Sequence, residues 1–183
     1  MTCMKSLVLA ALLALIVIGC DRDDNAASSQ QGGAAATASA PAEAVPAGLI
    51  LASAPGEAKD VNAIKASAKE GDEVVLRGRV GGSIHPIVDG RAAFQVVDLS
   101  VKSCKELPGD TCETPWDYCC EPDVAKSTAT VQVVGADGKP LKTGLKGVGG
   151  LAPLAEVTVK GKVGKTAEGA PLVVNATGIH VKG

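Results

Sequence analysis

The chain has 183 residues, a length that suits one folded domain or at most two. Hydrophobic residues make up 46% of it but aromatics only 2%, so a core must rest on Val, Leu and Ile, and 22 Gly with 10 Pro favour short strands and turns over long helices. The formal net charge of −2 gives no bulk electrostatic reason to bind nucleic acid.

At the N-terminus, Lys5 precedes an uninterrupted apolar run from Leu7 to Ile18, followed by Gly19 and Cys20. The run is shorter than the roughly 20 apolar residues of a membrane-spanning helix and fits the apolar region of a secretory signal peptide. Val17-Ile18-Gly19-Cys20 resembles the lipobox of bacterial lipoproteins. The resemblance implies a signal peptide over residues 1–19 and a lipidated Cys20 as the first mature residue. It also implies a domain anchored at a membrane of the bacterial cell envelope, facing away from the cytoplasm. Asp21 resembles the inner-membrane retention signal of enteric bacteria, and the choice between inner and outer membrane stays open. Cys3 falls in the discarded segment.

Residues 20–56 are rich in Ala, Ser, Gly, Gln and Pro and show no apolar period. Such composition buries too little surface to offset ordering entropy, so a disordered linker is expected, reaching on the order of 30–36 Å. Leu49-Ile50-Leu51 is its one apolar patch and a candidate for docking on the domain. The folded part is expected over 57–183. Asp60 is placed to cap a short helix running through Glu70, with Val61, Ile64 and Ala68 on one face and Gly71 as its stop.

Five strands follow from alternation: Glu73 to Val80, Ala92 to Leu99, Thr128 to Val134, Ala155 to Val163 and Leu172 to Val181. Turn residues separate them, at Gly81-Gly82, Asp89-Gly90, Gly135 to Gly138 and Glu168-Gly169. The paired phrases Arg-Gly-Arg-Val and Lys-Gly-Lys-Val in strands one and four, and the long gap between strands three and four, resemble an OB-fold. That resemblance implies a mainly β, five-stranded Greek-key barrel preceded by one short helix. Gly78 and Gly161 would sit at its bends. An open β-sandwich is the alternative. The gap between strands three and four is Gly-rich where an OB-fold usually holds a helix, and the gap between strands two and three is inflated by residues 99–127.

Many OB-folds bind single-stranded nucleic acid with a basic groove and stacking aromatics. Arg77, Arg79, Lys160 and Lys162 would face outward on neighbouring strands as a compact basic patch. From Gly71 to Gly183 there are 13 basic and 13 acidic residues, and aromatics are nearly absent, so nucleic acid is the least favoured partner. An envelope protein, a glycan or a lipid headgroup fits better.

The inserted stretch carries Cys104, Cys112, Cys119 and Cys120 together with the single Trp and single Tyr, Trp116 and Tyr118. From Asp98 to Asp123, seven acids face two lysines, a local charge of −5, and Pro108, Pro115 and Pro122 exclude regular structure. Outside the cytoplasm, four cysteines favour two structural disulfides. The pairing is either Cys104–Cys119 with Cys112–Cys120 or Cys104–Cys120 with Cys112–Cys119, because a bridge between neighbouring cysteines closes a strained ring. A four-thiolate site for Zn or Cu is the alternative cofactor reading. A redox pair at Cys119-Cys120 ranks below both, since the flanking acids oppose a thiolate. Trp116 and Tyr118 are expected to plug the loop against the barrel, with an exposed edge for a partner as the rival. His85 and His180 are lone histidines, and His85 lies in the loop that often borders an OB binding face.

No nucleophile elbow, metal-binding His pair or phosphate loop is present. The expectation is a non-catalytic, membrane-anchored binding or scaffold module, with a metal- or redox-handling envelope protein as the second hypothesis.

Overall fold

The computed structural model describes residues 43–166 and 170–183. The signal peptide, Cys20, most of the linker and the Glu168-Gly169 turn lie outside the described residues. Six strands form one sheet: β1 (Lys59–Asp60), β2 (Glu73–Val80), β3 (Ala93–Val97), β4 (Thr128–Gln132), β5 (Glu156–Val163) and β6 (Leu172–Val181). Their order is β1-β2-β3-β4-β6-β5, and a further β2–β5 pairing joins the ends. Strands β2 to β6 therefore close into a five-stranded barrel with the OB strand order, and the sandwich alternative is set aside.

Closure follows from alternation. Along β2, Leu76 and Val80 are fully buried while Arg77 and Arg79 point outward; along β5, Val157, Val159 and Val163 are buried opposite Lys160 and Lys162. The two strands run antiparallel with Leu76 opposite Val159 and Arg79 opposite Glu156. Phe94 joins Val96, Val131, Val174 and Ile179 in the core, each 0–1% exposed. The barrel bends where the sequence places glycine. A register shift falls between Lys160 and Gly161, and a Cβ on Gly161 would lie 2.3 Å from the Asn175 carbonyl oxygen, closer than any side chain tolerates.

Helix α1 (Val61–Ser67) covers one part of the barrel with Val61 and Ile64. It is shorter than expected because Ala68 is already extended. Asp60 occupies the N-cap position without capping; its carboxylate instead grips Arg77 at 2.6 and 3.1 Å. Strand β1, two residues paired parallel to β2, is too short to leave a period in the sequence.

The domain begins earlier than expected. Leu49 is 3% exposed, and the Ile179 carbonyl and N–H bond the Leu51 N–H and Leu49 carbonyl at 2.8 and 2.7 Å. This apolar patch of the expected linker docks along β6. The Gly-rich β4–β5 connection holds a single 3₁₀ turn, Val148–Gly150, and buries Leu145 and Leu151 in place of a helix. No described helix is long and apolar enough to cross a membrane.

Candidate metal centre

The β3–β4 connection leaves the barrel at Asp98 and returns at Ser127, whose carbonyl accepts the Asp98 N–H at 2.9 Å. Asp98 is 3% exposed, and its carboxylate accepts the Asn62 N–H at 2.7 Å, the Ser100 N–H at 2.9 Å and the Ser100 hydroxyl at 2.6 Å. Burial pushes this carboxyl up, but the three donors outweigh it and hold it below the usual aspartate range. The base of the insertion is thus tied to the start of α1.

Each cysteine is placed by a local device. Cys104 opens the 3₁₀ turn Cys104–Glu106, where the Ser103 N–H and hydroxyl both donate to Glu106 Oε2 at 2.8 Å. The same carboxylate meets Arg79 on β2 at 2.5 Å, fixing the turn to the barrel. Asp117 shapes the other arm: its Oδ2 accepts the Thr114 hydroxyl at 2.9 Å and its Oδ1 the Cys119 N–H at 2.8 Å. Tyr118 then takes φ 59°, a left-handed conformation that costs a non-glycine residue on the order of 1 kcal/mol. The turn sends Tyr118 inward, 1% exposed, and leaves Cys119 and Cys120 at the surface.

Tyr118 and Trp116 dock on the first turn of the β2–β3 hairpin. The Gly82 N–H donates to the Trp116 carbonyl at 2.8 Å, and the indole N–H donates to the Ile84 carbonyl at 3.0 Å. A Cβ at Gly81 would fall 2.6 Å from the Trp116 carbonyl oxygen and 2.7 Å from the Tyr118 ring, so only glycine lets the insertion approach this closely. Burial raises the Tyr118 hydroxyl pKa against the pull of the Arg79 guanidinium. The plugging expectation describes Tyr118 well, whereas Trp116 is half-buried and keeps a face toward solvent.

The four sulfurs meet. Cys119 Sγ is 3.6 Å from Cys104 Sγ, 3.7 Å from Cys112 Sγ and 3.9 Å from Cys120 Sγ. The four cysteines are free thiols in this structure, and neither expected disulfide pairing is formed. Cys119 is equally close to three neighbours, so no single partner is singled out for it. Sulfurs around one ion bonded at about 2.3 Å lie about 3.8–4.0 Å apart, close to the spacing observed. Asp117 and Asp110 also bring carboxylate oxygens within 4.8 Å of cysteine sulfurs.

The acid-base state of the cluster is uneven. Burial opposes charge on Cys104, yet the Cys120 N–H and the thiols of Cys119, Cys120 and Cys112 donate toward it and hold its pKa below the usual thiol range. The same thiol contacts, to Cys104 first and then Cys112, push Cys119 far up. Hydrogen bonds thus ease ionisation of Cys104 relative to an ordinary thiol despite the flanking acids, as a neighbouring cation would otherwise do.

The remaining expected site residues do not join this centre. Arg77 pairs with Asp60, Arg79 with Glu106 and with Glu156 at 3.5 Å, and Lys162 with Glu73 at 3.8 Å. The patch is on adjacent strands as expected, but carboxylates neutralise three of its four members. Lys160 lines a cleft of about 610 Å³ with Ile64, Val74, Lys59, Glu57 and Asp72, where mixed charges converge on no single chemistry. His85 is exposed and lines a smaller cleft of about 250 Å³ with Ile84, Trp116, Lys146 and Pro153. Sequence reading missed Asp98, Glu106 and Asp117 as organisers, although Ser103 with Glu106 three residues later carries a legible capping-box signal.

No family model and no curated protein matches the chain. Among solved structures it is similar to the hypothetical protein ygiW from E. coli, with 16% identity, 69% of this chain and 91% of that chain covered, and a TM-score of 0.38.

Proposed function

We propose that this chain is a non-catalytic envelope lipoprotein whose OB-type barrel carries a thiolate metal centre. The observation that supports this reading is the convergence of Cys104, Cys112 and Cys120 on Cys119 at 3.6–3.9 Å. Thiolate donors select soft or borderline cations, so Zn²⁺ and Cu⁺ are the candidate ions. The surrounding acids, at a local charge of −5, raise the local cation concentration. The lipobox resemblance at Cys20 supports anchoring, with the barrel presented outside the cytoplasm.

Anchoring and metal binding are tested separately. The full-length protein, expressed in a bacterium with its signal peptide, should fractionate with membranes and carry metal in atomic emission analysis. Cys20→Ala should move it to the soluble fraction with the metal still bound. Membrane retention of that variant contradicts lipid anchoring, and protein without metal after purification away from oxygen contradicts the centre.

A second reading is a partner-binding role for the cleft beside the centre. It is favoured by Trp116 and His85 sharing one small cleft and by the exposure of Ile84 at its rim. An envelope protein, glycan or lipid headgroup would be its ligand.

A further inference from the structure

We infer that the cysteine centre is binuclear and takes two copper(I) ions bridged by the Cys104 sulfur, a step that rests on the metal-binding reading above. The donor atoms fall into two overlapping groups. Cys104, Cys112, Asp117 and Cys119 place their ligand atoms within 4.8 Å of one another, and so do Cys104, Asp110 and Cys120. Cys104 belongs to both groups. The Cys119 and Cys120 sulfurs, one from each, are 3.9 Å apart, so the groups are adjacent.

The first group reduces to three sulfurs, because both Asp117 oxygens are already engaged by Thr114 and the Cys119 N–H. The second offers the sulfurs of Cys104 and Cys120 with the Asp110 carboxylate beside them, whose Oδ2 accepts the Cys112 N–H at 3.3 Å and which keeps one oxygen to coordinate. Two zinc ions would each require four donors, more than four sulfurs and that one oxygen supply even with one sulfur shared. Copper(I) is soft and monovalent, is satisfied by two or three thiolates, and accepts a bridging sulfur.

Burial matches the roles. Cys104, the bridge, is 1% exposed, and Cys119 and Cys120 are exposed. A cleft of about 390 Å³ lined by Cys104, Cys120, Glu121 and Asp123, with Lys102 also on its wall, opens onto the second group and offers an entry path. Each ion displaces thiol protons to solvent, and no electron is transferred.

The test is an anaerobic titration of the reduced full-length protein with copper(I) against a chromophoric copper(I) chelator. Wild type should take two ions per chain, and Cys120→Ser, which leaves the second group a single sulfur, should take one. Cys120 is exposed, and far-ultraviolet circular dichroism checks that the barrel persists. Zinc(II), titrated alone, should stop at one ion. A wild-type stoichiometry of one copper(I) overturns the binuclear assignment and leaves the metal centre standing; a stoichiometry of zero overturns both. Two ions in Cys120→Ser also overturns it.

Discussion

In the barrel, β2 and β5 align seven residue pairs, and Leu76, Val80, Val157 and Val159 are each at most 2% exposed. In the insertion from Ser100 to Ser127, only Ser103, Cys104 and Tyr118 are buried, and regular structure is confined to two 3₁₀ turns. A loop this long without its own core is uncommon in a compact domain unless it serves a function. The barrel is held by apolar burial. The insertion is held by a few polar anchors at its margins and, in the proposed centre, by metal bound among its thiolates. The two regions should therefore fail in different ways.

The largest expected effect is on the insertion. Cys119→Ser removes the sulfur that touches all three others, and metal affinity should fall by more than about 100-fold, beyond the cost of losing an outer-shell partner. Equilibrium dialysis measures it, and the barrel's far-ultraviolet spectrum should stay unchanged. Phe94→Ala should do the reverse, costing about 3–5 kcal/mol in urea unfolding while metal stoichiometry in the folded protein is kept. A barrel mutation that abolishes metal binding without unfolding would break the distinction.

Two changes probe the seam. Gly81→Ala places a methyl against the Trp116 carbonyl and the Tyr118 ring, and should cost about 2 kcal/mol and raise Trp116 fluorescence quenching by iodide as the insertion lifts. Unchanged quenching would show that the seam yields without undocking. Asp98→Asn should cost about 1.5 kcal/mol at neutral pH, since one acceptor oxygen is retained. Because the folded Asp98 carboxyl lies below its unfolded value, its contribution is complete above about pH 4 and is lost as pH falls through the folded pKa. Wild type should thus lose more stability than Asp98→Asn between neutral pH and the acid range. Parallel curves in urea titrations would contradict this assignment.

The same division decides what could be read from the sequence. Period-two alternation located β2 and β6 to the residue and the other three barrel strands within two residues, because each side chain's face is a local property. Helix α1 was read too long because nothing local marks the extended backbone at Ala68. The charge of the basic patch was misjudged for a non-local reason: Asp60 and Glu106 arrive from other elements to meet Arg77 and Arg79. The cysteine pairing was illegible for the same reason. Spacing alone does not reveal that the Asp117 turn and the Tyr118 conformation swing Cys119 into the midst of three sulfurs.

Native mass spectrometry of the full-length protein, purified anaerobically without added metal, tests the metal centre most directly. The expected species is a chain heavier by bound metal, which on acidification returns to the mass with the thiols of Cys104, Cys112, Cys119 and Cys120 all reduced. A metal-free chain lighter by four hydrogens, with two disulfides among those residues, would contradict it.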